Sequence, residues 1–199
     1  MLPFYMVESD PPAKREILRV SLKLFSERGL AATTIRDIAA ESGYTNPALY
    51  KHFSSKEALA LYLFETCHRR LWTRCHAAIA GIKTFDDRLE RYVSQILTLV
   101  DEDPAAMAFL SENARVLWPK AGPAVRRQTM IALARSVMSA GAATQKDKRR
   151  PAINRDIAAA SVQGTLAEVA RMIQVGVLPG PAIRWKAPLV DLLRRVAGS

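Results

Sequence analysis

The sequence is poor in residues that cross-link chains or ligate metals, and it lacks long apolar runs. Two of its 199 residues are cysteine and three are histidine. No apolar run approaches the roughly 18 residues needed to cross a bilayer. Glu8 and Asp10 precede the first basic residue, Lys14, so the basic start of a secretory signal is missing. We therefore expect a cytoplasmic protein that has no membrane partner.

The two cysteines do not suggest a disulfide or a metal site. Cys67 and Cys75 lie in one helical pattern, which separates them by about 12 Å, whereas a disulfide needs Cα atoms within roughly 7 Å. The pairs Cys67-His68 and Cys75-His76 resemble zinc ligands, but His68 and Cys75 would lie about 10 Å apart on that helix. We expect free thiols, no metal and no cofactor.

Catalytic and strand signatures are also missing. The sequence shows no Ser-His-Asp order, no glycine-rich phosphate loop and no acidic cluster with metal-ligand spacing, so we expect no enzyme. Alternating runs of β-branched and aromatic residues are absent, and nearly every segment has helical periodicity. The predicted fold is all-α, with about nine helices.

Positive charge is abundant but does not locate a nucleic-acid surface. The net charge is +10, yet residues 1–60 hold eight Lys and Arg against seven Asp and Glu. Residues 61–199 hold 21 against 12. The basic stretch 145–151 is interpreted as a solvated connection between helices, without a function of its own.

Helical periodicity and its punctuation predict the order of the elements. A first helix covers residues 13–28, two short helices follow before residue 53, and a long helix runs from about residue 55 to residue 80. The later predicted helices cover 86–102, 104–117, 123–143, 153–177 and 181–197.

The two short helices carry the most informative pattern. Thr34 and Asp37 form a capping-box pair that begins one helix, and Gly43 ends it. Thr45 caps the next helix, with Pro47 in its first turn. On spacing alone, a DNA-binding helix-turn-helix and a generic two-helix hairpin both fit. The outward side of the second helix is predicted to carry Thr45, Asn46, Pro47, Ala48, Tyr50 and Lys51.

The order of residues around this hairpin closely resembles the N-terminal domain of the tetracycline-repressor (TetR) family. The resemblance covers roughly a quarter of the chain. The matching residues are Phe25, Gly29, the run Thr33-Thr34-Ile35-Arg36-Asp37-Ile38-Ala39, Gly43, the run Leu49-Tyr50-Lys51-His52-Phe53, and the run Lys56-Glu57-Ala58-Leu59.

The resemblance implies a role for each matching position. Asn46 is the best candidate for reading a base, because its amide can donate and accept hydrogen bonds together. The family often has a basic residue at Asn46 and a glycine at Pro47, so fewer phosphate contacts are expected from this helix. The positions assigned to the major groove are Thr45, Asn46, Pro47 and Ala48, and those assigned to phosphates and backbone are Thr33, Thr34, Arg36, Tyr50, Lys51, His52 and Lys56.

Beyond about residue 80 the predictions rest on physical patterns. Small residues between 156 and 176, together with the apolar last helix, predict half of a four-helix bundle completed by a second copy. The alternative is packing within one chain. The predicted dimer interface contains Ile157, Ser161, Gly164, Leu189, Leu192, Leu193 and Val196. The residues predicted to line an effector pocket are Trp72, Tyr92, Met107, Phe109, Trp118, Met130 and Met138.

The predicted organisation is therefore a flexible arm (1–12), a helix-turn-helix domain (13–58) and an effector-binding and dimerisation domain (59–199). The expected function is a homodimeric transcriptional regulator, a repressor released from a palindromic operator by a small, largely apolar effector. Two alternatives are an architectural DNA binder without effector control, and a small helical ligand-binding protein or enzyme with a degenerate helix-turn-helix.

Overall fold

Helices make up almost all of the chain that the computed structural model describes, which is residues 3–140 and 154–197. No β-strand occurs in these two ranges, which confirms the all-α prediction. The basic stretch 145–151 lies outside them. The helices are α1 (Pro12–Arg28), α2 (Ile35–Ser42), α3 (Asn46–His52), α4 (Lys56–Ile79), α5 (Phe85–Glu102), α6 (Pro104–Leu117), α7 (Pro123–Arg127), α8 (Met130–Ser139), α9 (Arg155–Gln174) and α10 (Lys186–Ala197), with 3-10 helices at Trp118–Lys120 and Ala182–Trp185.

The chain divides into two compact units whose limits differ from the predicted domain boundaries. The first unit comprises Met1–Arg70 and Asp103–Arg127, and the second comprises Leu71–Glu102 and Gln128–Ser199. The predicted boundary at residues 58 and 59 misses this division because α6 packs against α1, a contact between distant parts of the sequence.

The first unit is built on α1, which packs against α2, α3 and α6. The face of α1 that carries Ile17, Leu18 and Leu24 is fully buried. Phe25 stacks on Phe109 of α6, with ring centroids 5.7 Å apart. Burial of these large side chains stabilises the unit by about 1.5 to 3 kcal/mol for each one.

The second unit is organised around α5, which contacts α8, α9 and α10. Tyr92 of α5 is fully buried, and its hydroxyl donates to Oε1 of Gln163 at 2.8 Å. Arg88 donates to the carbonyl of Ser136, which ties α5 to α8. None of the helices in the described ranges combines the length and apolar character that a bilayer crossing requires.

One predicted helix is two. The pattern at residues 123–143 predicts a single helix, but α7 ends at Arg127 and α8 begins at Met130. The Thr129 side chain accepts the backbone N–H of Ala132 at 3.2 Å, so it starts a new helix instead of continuing the first.

The predicted flexible arm is packed where the structure describes it. Phe4, Tyr5 and Met6 are each less than 9% exposed. The Asp10 side chain is also buried and accepts the backbone N–H of Val7 at 2.9 Å. Backbone without regular secondary structure can be buried as fully as a helix, and this segment is an example.

The two short helices begin with different kinds of cap. Thr34 and Asp37 form the predicted capping box, with the Asp37 N–H bonded to the Thr34 hydroxyl and the Thr34 N–H bonded to the Asp37 carboxylate. The Thr34 hydroxyl and the Thr34 N–H both donate to the Asp37 carboxylate, and these two bonds lower the pKa of Asp37. Thr45 lies at the N-cap of α3 but makes no side-chain cap bond.

This contrast predicts unequal stability effects. Thr34→Ala should lower the free energy of unfolding by about 1 kcal/mol, because it leaves the Asp37 N–H of α2 without its side-chain cap. Thr45→Ala removes the same atoms without breaking a cap bond, and it should change that free energy by less than about 0.5 kcal/mol. Urea unfolding of both variants measures the difference, and equal losses would contradict it.

The two thiols are buried and should be unreactive in the folded protein. Cys67 and Cys75 are 0% exposed. Burial raises the pKa of the Cys67 thiol strongly and that of Cys75 to about 12. We expect neither to react with a thiol reagent such as dithionitrobenzoate at neutral pH until denaturant is added, after which both should react. Rapid labelling of either thiol in the native protein would contradict this burial.

Candidate nucleic-acid interface

A tight turn places α3 beside α2. Gly43 has φ 72° and ψ 13°, the left-handed conformation that glycine adopts without strain. Its N–H donates to the Ala39 carbonyl, which closes α2, and α3 begins three residues later. Ile38 of α2 and Leu49 of α3 are buried beneath the pair. The structure therefore has the paired-helix geometry that the sequence predicts.

The outer side of α3 is open to solvent. Tyr50 is 53% exposed, and Thr45, Pro47 and Lys51 are also exposed. Because Thr45 makes no side-chain cap bond, its hydroxyl can bind another group. The remaining predicted positions on this surface, which are half-buried, are Asn46, Ala48 and His52.

Tyr44 extends this surface and was not predicted. It lies in the turn between α2 and α3 and is 36% exposed. The sequence signal that could have found it was an aromatic residue just before the N-cap of α3. Two exposed aromatic side chains, Tyr44 and Tyr50, therefore flank the first turn of α3 in the sequence.

The beginning of α2 adds a second group of polar atoms. Thr34 and Arg36 are exposed, as predicted for phosphate contacts. In residues 3–140 and 154–197 the salt bridges involve neither Arg36 nor Lys51, so both cations are available to an external anion.

Thr33 is 0% exposed, and its hydroxyl donates to the Gly29 carbonyl at 2.9 Å. Thr33 therefore cannot clamp a phosphate as predicted.

Lys56 also differs from its predicted role. Its ammonium donates to three backbone carbonyls, those of Leu30 at 2.9 Å, Ala31 at 3.3 Å and Thr33 at 2.8 Å. An ammonium has three donors, so these bonds occupy all of them. Lys56 holds the segment between α1 and α2 to the start of α4, and it does not extend towards a phosphate in this conformation.

The two histidines of the zinc-like pairs, His68 and His76, both pack against aromatic rings. Among the residues that the structure describes, no three His, Cys, Asp or Glu side chains converge on a metal position. His68 packs against Phe64 and Trp118, and His76 stacks on Trp72 with 4.7 Å between ring centroids. These histidines take part in aromatic packing.

The seven residues predicted to line an effector pocket are divided between the two units. Met107, Phe109 and Trp118 belong to the first unit, where Phe109 is core, and the other four belong to the second. Tyr92 is core, whereas Trp72, Met130 and Met138 are half-buried.

A cavity of about 620 Å³ in the second unit has a mostly charged lining that includes none of the seven predicted pocket residues. It is lined by Ile82, Lys83, Asp87, Glu90, Arg91, Ser94 and Lys186.

The predicted dimer residues divide into exposed and buried sets. Ile157 is 64% exposed, Leu192 is 47% exposed, and Gly164 is also exposed. Leu189 and Leu193 are 5% and 0% exposed, which assigns them to the core of the second unit, where α10 packs against α5 and α9. They cannot face a second copy as predicted. The half-buried members of the set are Ser161 and Val196.

The chain resembles known proteins in its sequence and in its fold. Residues 17–63 match the family described as bacterial regulatory proteins, tetR family. The HTH-type transcriptional repressor KstR2 of Rhodococcus jostii is 31% identical over 52% of this chain and 51% of its own length. The chain thus matches about half the length of this curated relative. Such relatives are transcriptional regulators, not enzymes, in line with the sequence-based expectation.

Solved structures extend the likeness of the fold to nearly the whole chain. The ketosteroid transcriptional regulator KstR2 of Mycobacterium tuberculosis has a TM-score of 0.76 at 23% identity, over 98% of this chain and 96% of that one. FadR of Bacillus subtilis, solved with stearoyl-CoA, has a TM-score of 0.67 at 15% identity, over 89% and 96%. At these identities the structures show a shared fold. The match to the tetR family of bacterial regulatory proteins covers residues 17–63, the part of the chain that contains the helix-turn-helix.

Proposed function

We propose that the chain is a cytoplasmic, DNA-binding transcriptional regulator that acts as a repressor. The observation that carries the proposal is the exposed outer side of α3, held by a buried inner side and a left-handed turn at Gly43. A helix presented in this way fits the major groove of duplex DNA. The curated relative from Rhodococcus jostii is named a repressor, which supports the direction of control.

Within this surface, base reading and phosphate binding fall to different residues. Asn46 lies in the first turn of α3, where its amide can pair with a base edge. Lys51, Arg36 and the exposed Thr34 supply positive charge and hydroxyl groups to phosphates, which fix the register without reading sequence. Tyr44 joins this group as an aromatic contact beside the groove.

A second copy would double this interface. Two α3 helices related by a two-fold axis would enter successive major grooves of a palindromic operator, about 34 Å apart. The exposed apolar residues Ile157 and Leu192, together with Gly164, support association through α9 and α10. Four such helices from two copies make a bundle.

Control by a small, largely apolar effector completes the proposal. The FadR structure with stearoyl-CoA supports the capacity of this fold to bind a molecule with a long acyl chain. In the second unit, the half-buried Trp72, Met130 and Met138 remain the candidates for apolar contact. An effector would release DNA by changing the spacing of the two α3 helices, with a coupling of about 1 to 3 kcal/mol.

Two substitutions on α3 should affect DNA binding differently. The probes are a duplex selected from a random-sequence library and a scrambled duplex of the same length. Asn46→Ala should lose about 1 to 3 kcal/mol of binding free energy on the selected duplex alone, because a base contact is lost. Lys51→Ala should weaken binding to both duplexes and reduce the salt slope by about one. Fluorescence anisotropy over a range of salt concentrations measures both effects.

Lys83→Ala is the matched control, since it removes an exposed lysine of the second unit and leaves α3 intact. It should leave affinity for both duplexes within about twofold of the unsubstituted protein. If Asn46→Ala weakens both duplexes equally, Asn46 does not read bases. If the selection enriches no duplex, the chain is not a sequence-specific regulator.

The proposed dimer can be tested through its exposed apolar residues. Ile157→Asp and Leu192→Asp should each convert a dimer into a monomer, because the substitutions bury charges at the interface. Val116→Asp, on an exposed residue of the first unit, should leave the dimer intact. Sedimentation equilibrium measures the masses, and a monomeric unsubstituted protein or unaffected variants would contradict this interface.

A further inference from the structure

The segment before α1 is folded against the first unit. We name residues 3–10 the N-terminal strap. Its backbone forms two turns, closed by the Met6 N–H on the Pro3 carbonyl and by the Asp10 N–H on the Val7 carbonyl, both at 3.1 Å. Phe4, Tyr5 and Met6, which belong to the first of these turns, are buried. The strap is thus an ordered part of the first unit.

Two arginines hold the strap by its carbonyl groups. Arg70 of α4 donates to the Pro3 carbonyl at 2.7 Å. Arg15 of α1 donates to the carbonyls of Glu8 and Asp10, each at 2.7 Å. Hydrogen bonds from a charged group are about twice as strong as neutral ones. The strap is therefore attached at both ends to the helices that frame the unit.

Asp10 is the strap residue that reaches into the unit. Its side chain is 2% exposed. Oδ1 accepts the Tyr62 hydroxyl at 2.8 Å and lies 2.7 Å from the Lys14 ammonium, and Oδ2 accepts the Val7 N–H. Burial by itself favours a raised pKa, but the bonds from Lys14, Val7 and Tyr62 outweigh it and lower the pKa of Asp10. The carboxylate is therefore charged at neutral pH.

The two side chains that Asp10 holds pack on the end of α3. The Lys14 ammonium lies 3.8 Å from the ring centroid of Tyr62 and 5.5 Å from that of Phe53. The rings of Phe53 and Tyr62 meet edge to face at 5.5 Å. Phe53 is the C-cap residue that follows α3, and its N–H donates to the Leu49 carbonyl. A continuous set of contacts thus joins Asp10 to the end of α3.

We propose that Asp10 is a positioning residue for DNA recognition, which fixes the orientation of α3 by holding Lys14 and Tyr62 against Phe53. The inference rests on the proposed DNA-binding function. A helix of seven residues is only marginally stable by itself, so its orientation depends on the side chains that fix it to the rest of the unit. Leu49 anchors its buried side, and Phe53 anchors its end. Loss of the Asp10 carboxylate frees the second anchor.

The test compares two acidic residues of the same strap. Asp10→Ala and Glu8→Ala remove the same charge, but the Glu8 side chain is exposed and only its backbone carbonyl is used. On the selected duplex, Asp10→Ala should bind about tenfold more weakly than Glu8→Ala. On the scrambled duplex the two variants should agree within about twofold. Equal affinities of the two folded variants for the selected duplex would overturn the proposal.

A milder variant separates positioning from loss of folding. Tyr62→Phe keeps the ring and removes only the hydroxyl that donates to Asp10. It should weaken binding to the selected duplex in the same direction, and adding it to Asp10→Ala should cause little further loss, because both act through one contact. Fully additive losses, or equal losses on both duplexes, would indicate general destabilisation and overturn the proposal.

Hydrogen exchange separates failure of this inference from failure of the regulator proposal. Exchange of the Phe53 amide should accelerate in Asp10→Ala and stay unchanged in Glu8→Ala, with no DNA present. If the unsubstituted protein binds no duplex, the regulator proposal fails, and with it the role of Asp10 in recognition. If DNA binding is intact but Phe53 exchange is the same in both variants, only the positioning role fails.

Discussion

The first unit depends on the buried face of α1. Helices shorter than about 12 residues are marginal on their own in water, and α2 and α3 have eight and seven residues. They persist because Ile38 and Leu49 are buried in the unit where α1 packs against both helices. The stacking of Phe25 on Phe109 adds α6 to the same core. The exposed side of α3 is thus a consequence of how its other side is buried.

Several polar residues near α3 support this surface from inside. Lys56 binds three carbonyls of the segment before α2, Thr33 is bonded to Gly29, and Asp10 holds Lys14 and Tyr62. Polar groups that are removed from water need partners, and these partners are backbone groups, the Tyr62 hydroxyl or charges of the same unit. The surface proposed for DNA binding is therefore smaller than the family resemblance implies, and the residues beneath it determine its shape.

In the second unit, the buried side chains belong to the core of the unit, and only the exposed ones can contact another molecule. Leu189 and Leu193 share one side of α10 and are buried, while Leu192 between them points outward. Tyr92 is buried and bonded to Gln163, so its hydroxyl is satisfied within the unit. An apolar residue that stays exposed on such a helix has no role in the core of its own chain, and this exposure is the basis for the proposed contact of Ile157 and Leu192 with a second copy.

The sequence by itself determined the features whose causes are local. The periodicity of α1, the capping box at Thr34 and the left-handed turn at Gly43 each depend on residues within a few positions, so the helix-turn-helix could be predicted. Only the tertiary structure decided where Lys56 donates, how the strap packs, and that α6 joins the first unit. Asp10 meets Tyr62 across 52 positions of sequence. Neither periodicity nor composition indicates such contacts, because they form only when segments that are distant in the sequence pack against each other.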